Sequence, residues 1–129
     1  MSVPITGFYA ALTALLVLAF AARVIVLRWS TKTGLGDGGD RRLARAIRIH
    51  GNAIEFVPIA LILMLAAELS GAAAPLLHGC GIALVAARIS HALGLSRTAG
   101  TSAGRMLGVI ATIAVILVLA WVDIAAFLG

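Results

Sequence analysis

The sequence predicts an all-α integral membrane protein, a bundle of four helices that each cross a bilayer. Three observations carry this reading. Hydrophobic residues fill 62% of the 129 positions and charged residues only 12%, far from the balance of a soluble globular domain. Four apolar segments of bilayer-crossing length occupy the chain, joined by short connections, so that residues 1–129 form a single transmembrane domain. All ten Lys and Arg residues, at 23, 28, 32, 41, 42, 45, 48, 88, 97 and 105, fall at the segment ends that meet the first and third connections. The positive-inside bias places those two connections in the cytoplasm, and both termini with the central connection on the other side. The formal charge of +5 is therefore explained by topology, and nucleic acid is not an expected partner.

The first span covers about residues 3–28, with Pro4 suited to a first helical turn and Arg23 and Arg28 towards its far end. Its basic residues follow the apolar run, the reverse of a cleavable leader, so it is read as a span. Trp29, between Arg28 and Lys32, is placed as an interfacial anchor. Residues 30–40, STKTGLGDGGD, contain Gly34, Gly36, Gly38 and Gly39 but no Gly-Lys-Ser/Thr, so they read as a turn and not a phosphate loop, with Asp40 as N-cap of the next helix. The second span, about residues 41–69, begins basic and amphipathic and becomes continuously apolar after Glu55; Pro58 should bend it one turn further on. Glu68, near the opposite surface, is read as solvated. The third span, about residues 75–95, carries Arg88 and His91 near its end and the lone Cys80 within it, so no intrachain disulfide or cysteine zinc site forms and no metal is expected. After a polar turn at 96–102, the fourth span covers about residues 103–127, with Arg105 in its first turn and Trp121 and Asp123 as an interfacial pair at its far end.

The second span holds the candidate functional site. Arg48, Asn52 and Glu55 stand at i, i+4 and i+7, one face of a helix, and Arg45 and Arg41 extend the stripe towards its start. An ionised carboxylate facing lipid costs at least ~2.5 kcal/mol, so Glu55 should look into a protein interior or a wet cavity, with an Arg as partner. His50 lies off the stripe and reads as packing. Arg28, Arg88, His91 and Arg105 come from the same membrane side on the other three helices, and a pocket of several cations, one carboxylate and one amide suits a small polyanion that also has an ammonium group. Open to the bilayer, it would also admit an amphipathic second molecule.

The segment RAIRIHGNAIEFVP, residues 45–58, closely resembles the second-helix signature of the MAPEG family, the membrane-associated proteins in eicosanoid and glutathione metabolism, in which Arg-x-x-x-Asn-x-x-Glu is followed closely by Pro. GLGDGGD before it and ARISHALGL at 87–95 resemble the bacterial branch of that family. The resemblance implies a homotrimer in a bacterial inner membrane, with glutathione between neighbouring subunits near the cytoplasmic side. Arg48, Asn52 and Glu55 would hold the tripeptide, Glu55 on its α-ammonium group; Arg28 would reach in from an adjacent subunit, and Arg88 and His91 would line the pocket. Arg105 matches the helix 4 arginine beside the glutathione sulfur, where a fixed cation favours thiolate over thiol. The expected activity is glutathione transfer to, or peroxide reduction of, a lipophilic substrate. The chain departs from active relatives at Phe56, Leu93 and Leu95, where their tyrosines are absent, and Tyr9, its only tyrosine, lies at the other membrane face. Two alternatives stand beside this reading: a non-catalytic protein of the same fold whose polar network is structural, and a small proton-coupled transporter using Glu55.

Overall fold

The computed structural model describes residues 2–98, 100 and 102–129; parts of the predicted turn at 96–102, namely Ala99 and Thr101, lie outside the described residues. Four helices follow in order: α1 (Pro4–Thr31), α2 (Arg41–Leu69), α3 (Ala74–Arg97) and α4 (Ala103–Leu128). No strand occurs among the described residues. All four are long and apolar enough to cross a membrane. The helices α1 and α3 end at Thr31 and Arg97, against expected span ends near 28 and 95.

Local chemistry explains the helix limits. Pro4 opens α1, where its missing N–H is not needed, and Lys32 closes it in the left-handed conformation at φ 52°. Arg28 then reaches along the connection and donates to the carbonyls of Thr33, Gly34 and Gly36 at 3.3, 3.1 and 3.0 Å, tying the glycine-rich turn to α1. Asp40 caps α2 as predicted, accepting from the Arg42 and Leu43 N–H groups at 2.7 and 3.1 Å. The Arg42 side chain, with those two N–H groups, holds its carboxyl down at about 2. The α2 helix continues through Pro58, which leaves the Ile54 carbonyl without its usual i+4 donor.

Glu68 corrects a reading. It was expected to be merely solvated, yet its carboxylate accepts from Ile5 N–H at 3.0 Å and Thr6 N–H at 2.7 Å. Val3 offers α1 no side-chain cap, so a carboxylate from the far end of α2 supplies it. Beside it, the Tyr9 hydroxyl and His78 Nδ1 share a hydrogen bond of 3.0 Å. Asp123, read with Trp121 as an interfacial pair, has both carboxylate oxygens buried without a partner among the described residues.

The packing is tightest where side chains vanish. A Cβ on Gly108 of α4 would collide with the Ala87 carbonyl and with His91 of α3, and one on Gly81 would occupy the space of the Tyr9 ring. The larger apolar core, including Tyr9, Met64, Leu77, Leu84 and Leu119, lies towards the termini, and a smaller one of Ile49, Ala92 and Leu95, flanked by Phe20, lies towards the basic end. Cys80 is buried in the larger core, a packing position. Leu15, Leu18, Ile62, Leu117 and many other large apolar side chains face outwards, which suits acyl chains as solvent.

Candidate functional site

Successive residues turn by about 100° around a helix, so Arg48 and Glu55 stand about 20° apart and Asn52 about 40° to the other side of Arg48. That spread places the stripe across the margin of the buried face of α2. Asn52 falls inside, 8% exposed, whereas the Arg48 and Glu55 side chains stay outside, 63% and 55% exposed, as an ion pair at 4.0 Å. The arginine partner expected for Glu55 is therefore present, but the chain does not enclose the pair.

Asn52 leads inwards to Arg88. The guanidinium of Arg88 is 2% exposed and lies at the α2–α3–α4 junction. Nη1 donates to Asn52 Oδ1 at 2.5 Å, and Nη2 donates to the Gly108 carbonyl at 3.0 Å and to Thr112 Oγ1 at 2.5 Å. Phe56 presents its ring 5.9 Å from the Arg88 guanidinium carbon, a cation–π contact that needs no hydroxyl. Nε has no partner. No carboxylate is among these contacts, so Arg88 is a buried cation stabilised by neutral oxygens and one aromatic face.

His91, one turn on from Arg88, is 4% exposed, and the positive charges of Arg88, Arg105 and Arg48 all act on it. The imidazole thus sits in a positive field. Arg105 is half-buried in the first turn of α4, where Ser102 caps the helix by accepting from the Arg105 N–H at 3.3 Å. Its side chain borders an open depression of about 300 Å³ shared with Met106, Val109 and Ile110, apolar except at the arginine end. The structure therefore gathers Arg48, Asn52, Glu55, Arg88, His91 and Arg105 at one end of the bundle. Arg28 is at the same end but is occupied by its own loop, and Arg88 and His91 are buried inside the bundle.

Two contributors were missed from the sequence. Thr112 and the Gly108 carbonyl complete the Arg88 site; the available signal was that Thr112 is the one hydroxyl in the apolar run from Met106 to Val122. No group of three or more His, Cys, Asp or Glu side chains suited to a metal exists among the described residues.

A family model described as the MAPEG family matches residues 6–125. The chain belongs to the MAPEG family. Its similarity to curated relatives is also high: it is 47% identical over 90 residues to the inner membrane protein YecN of Escherichia coli strain K12, an alignment covering 70% of this chain and 69% of that one. The YecN protein of Escherichia coli O6:H1 strain CFT073 matches to the same extent. The match runs from the first turn of α1 to the last turns of α4 and so takes in all four helices. Of the three apolar positions noted in the sequence, Phe56 faces Arg88, Leu95 is buried in the smaller core and Leu93 is exposed.

Proposed function

We propose that this MAPEG protein is a multi-pass protein of a bacterial inner membrane that binds glutathione between the subunits of a homotrimer and uses it on a lipophilic substrate, by transfer or by peroxide reduction. The observation that carries the reading is the Arg48–Glu55 pair, two ionised side chains more than half exposed on a helix of membrane-crossing length. Placing charges against hydrocarbon costs about 2.5–3.5 kcal/mol each, so the pair requires a polar cover that one subunit lacks. A second subunit and a zwitterionic tripeptide supply it: Arg48 faces a carboxylate, Glu55 the α-ammonium group, and Asn52, held by Arg88, the peptide edge. Arg105 stands over an apolar depression, where its charge favours the thiolate and the adjoining wall accepts a substrate arriving from the bilayer. The inner membrane relatives support the location, and the basic first and third connections support termini on the non-cytoplasmic side.

The test is calorimetric titration of the detergent-solubilised protein with glutathione. Arg48→Ala and Glu55→Gln should each weaken binding by about tenfold or more, since each removes a charged hydrogen bond of ~1.5–3 kcal/mol. Affinities equal to the parent would remove these residues from the ligand site. A second reading, in which the polar residues only fix subunit packing, is favoured by the hydroxyl-free Phe56, Leu93 and Leu95 and by the three neutral oxygens of its own chain that already hold the Arg88 Nη atoms. It predicts that Glu55→Gln lowers oligomer stability and that glutathione protects neither form against unfolding.

A further inference from the structure

A cleft of about 160 Å³ opens between α1, α2 and α3 at the basic end of the bundle, separate from the Arg105 depression on α4. Phe20, Ile49, Ala92 and Leu93 form its apolar walls, and Arg23 and Ser96 its polar lip. The chain directions order these groups by depth. On α1, which runs towards the first connection, Arg23 is closer to the basic end than Phe20; on α3, which runs the same way, Ser96 is closer than Ala92. The cleft is thus polar at the membrane surface and apolar towards the bilayer centre, the polarity of a lipid in one leaflet.

Charge identifies the occupant. Ser96 donates to the Ala92 carbonyl at 2.7 Å, so its hydroxyl is already engaged within α3. The ion pairs among the described residues, Arg42–Asp40 and Arg48–Glu55, leave exposed Arg23 without a carboxylate. Arg23 lies five residues before Arg28, about 7.5 Å deeper along the helix, where a long side chain extends its charge up to headgroup level. An apolar cavity of ~150 Å³ admits a benzene-sized group, so this one takes about six carbons of an acyl chain. We propose that the cleft binds an acidic phospholipid of the basic-side leaflet, with its phosphate on Arg23 and the upper part of one acyl chain between Phe20, Ile49 and Leu93. The site is independent of glutathione binding.

Native mass spectrometry of the protein in non-ionic detergent tests this, with phosphatidylglycerol and phosphatidylcholine of identical acyl chains as probes. The expected result is retention of phosphatidylglycerol with about fivefold preference, the contribution of one basic side chain to an anionic headgroup. Arg23→Gln should abolish the preference, Arg23→Lys should restore it, and Arg41→Gln, an exposed arginine at the same end outside the cleft, should leave it unchanged. Leu93→Trp, an exposed position that fills the cleft from outside, should lower occupancy by both lipids. Equal losses in Arg23→Gln and Arg41→Gln would reduce the effect to diffuse charge and overturn the site. So would unchanged occupancy in Leu93→Trp, absence of any lipid adduct because a second copy closes the cleft, or complete displacement of phosphatidylglycerol by an equal concentration of dodecanoate.

Discussion

Replacing Arg88 with alanine should destabilise the protein by about 3–5 kcal/mol, because the change strands Asn52 Oδ1 and leaves a large cavity, while the Gly108 carbonyl and Thr112 Oγ1 lose one partner but keep each other. Arg88→Lys should recover only part of that loss, since an ammonium cannot span the three oxygens and the Phe56 ring as the planar guanidinium does. Unfolding in a denaturing detergent titration measures both. If Arg88 instead touched ligand alone, affinity would fall with stability unchanged. Asp40 offers a second test, in pH. Its carboxyl is held at about 2, below the ordinary 3.8, so the folded state binds the proton less readily than the unfolded chain. The cap's contribution is complete above about pH 4 and is lost as pH falls through about 2. The melting difference between the parent and Asp40→Ala should therefore narrow over that window and stay constant between pH 5 and 8. Asp40 was legible because an N-cap is local chemistry: one carboxylate before a periodic run. The division of the stripe was not, because a spacing of i, i+4, i+7 defines a face about 60° wide and says nothing of where the buried face ends. That margin falls between Asn52 and the Arg48–Glu55 pair, and it is set by where α3 and α4 pack.

Helices could be placed to within a few residues because their limits are written in Pro4, the glycine-rich turn, Asp40 and Pro75, each acting on its own neighbourhood. What holds one helix to another was much less visible. Glu68 and the amides it caps are 62 and 63 residues apart, and nothing near Glu68 in the chain distinguishes it from an ordinary interfacial carboxylate. Glu68→Ala should cost about 1–2 kcal/mol and speed hydrogen exchange in the first turn of α1, while amides in the middle of α2 keep their protection. Uniform acceleration across all four helices would mean that the residue supports the bundle as a whole and not that turn. The α3–α4 seam has a similar character. Gly108 is one glycine of fourteen by composition, and only the path of α3 makes it the one whose Cβ would strike the Ala87 carbonyl. Gly108→Ala should destabilise by about 1–3 kcal/mol through overpacking, and it should also disturb the Arg88 hydrogen bond to the Gly108 carbonyl. Equilibrium unfolding of Gly108→Ala alone and with Arg88→Lys would expose that coupling as non-additivity.

At the scale of the whole molecule, the distribution of charge over the outer surface is the property that one chain leaves unbalanced. Outward-facing Leu15, Leu18, Ile62 and Leu117 suit a hydrocarbon surround, whereas the exposed Arg48–Glu55 pair on α2 does not. Composition made the four spans and their polarity legible, since both depend on sums over the chain; the partner surface is a property of two copies and leaves no local mark in an alanine- and glycine-rich sequence. If copies cover the pair, the solubilised protein should have a mass several times that of one 13.2 kDa chain, measured by light scattering with the detergent contribution subtracted. A cysteine placed at Glu55 should then react with a charged thiol reagent in the folded assembly more slowly than one at Lys32, which borders the open first connection. Cys80 is buried in the core, so the background from the native thiol should be low until the chain unfolds. Equal reactivity at the two positions, together with the mass of a single chain, would leave α2 facing its surroundings unaided. The ion pair would then have to lie at the membrane surface, and the inter-subunit location proposed for glutathione would fail while the internal Arg88 network stood unchanged.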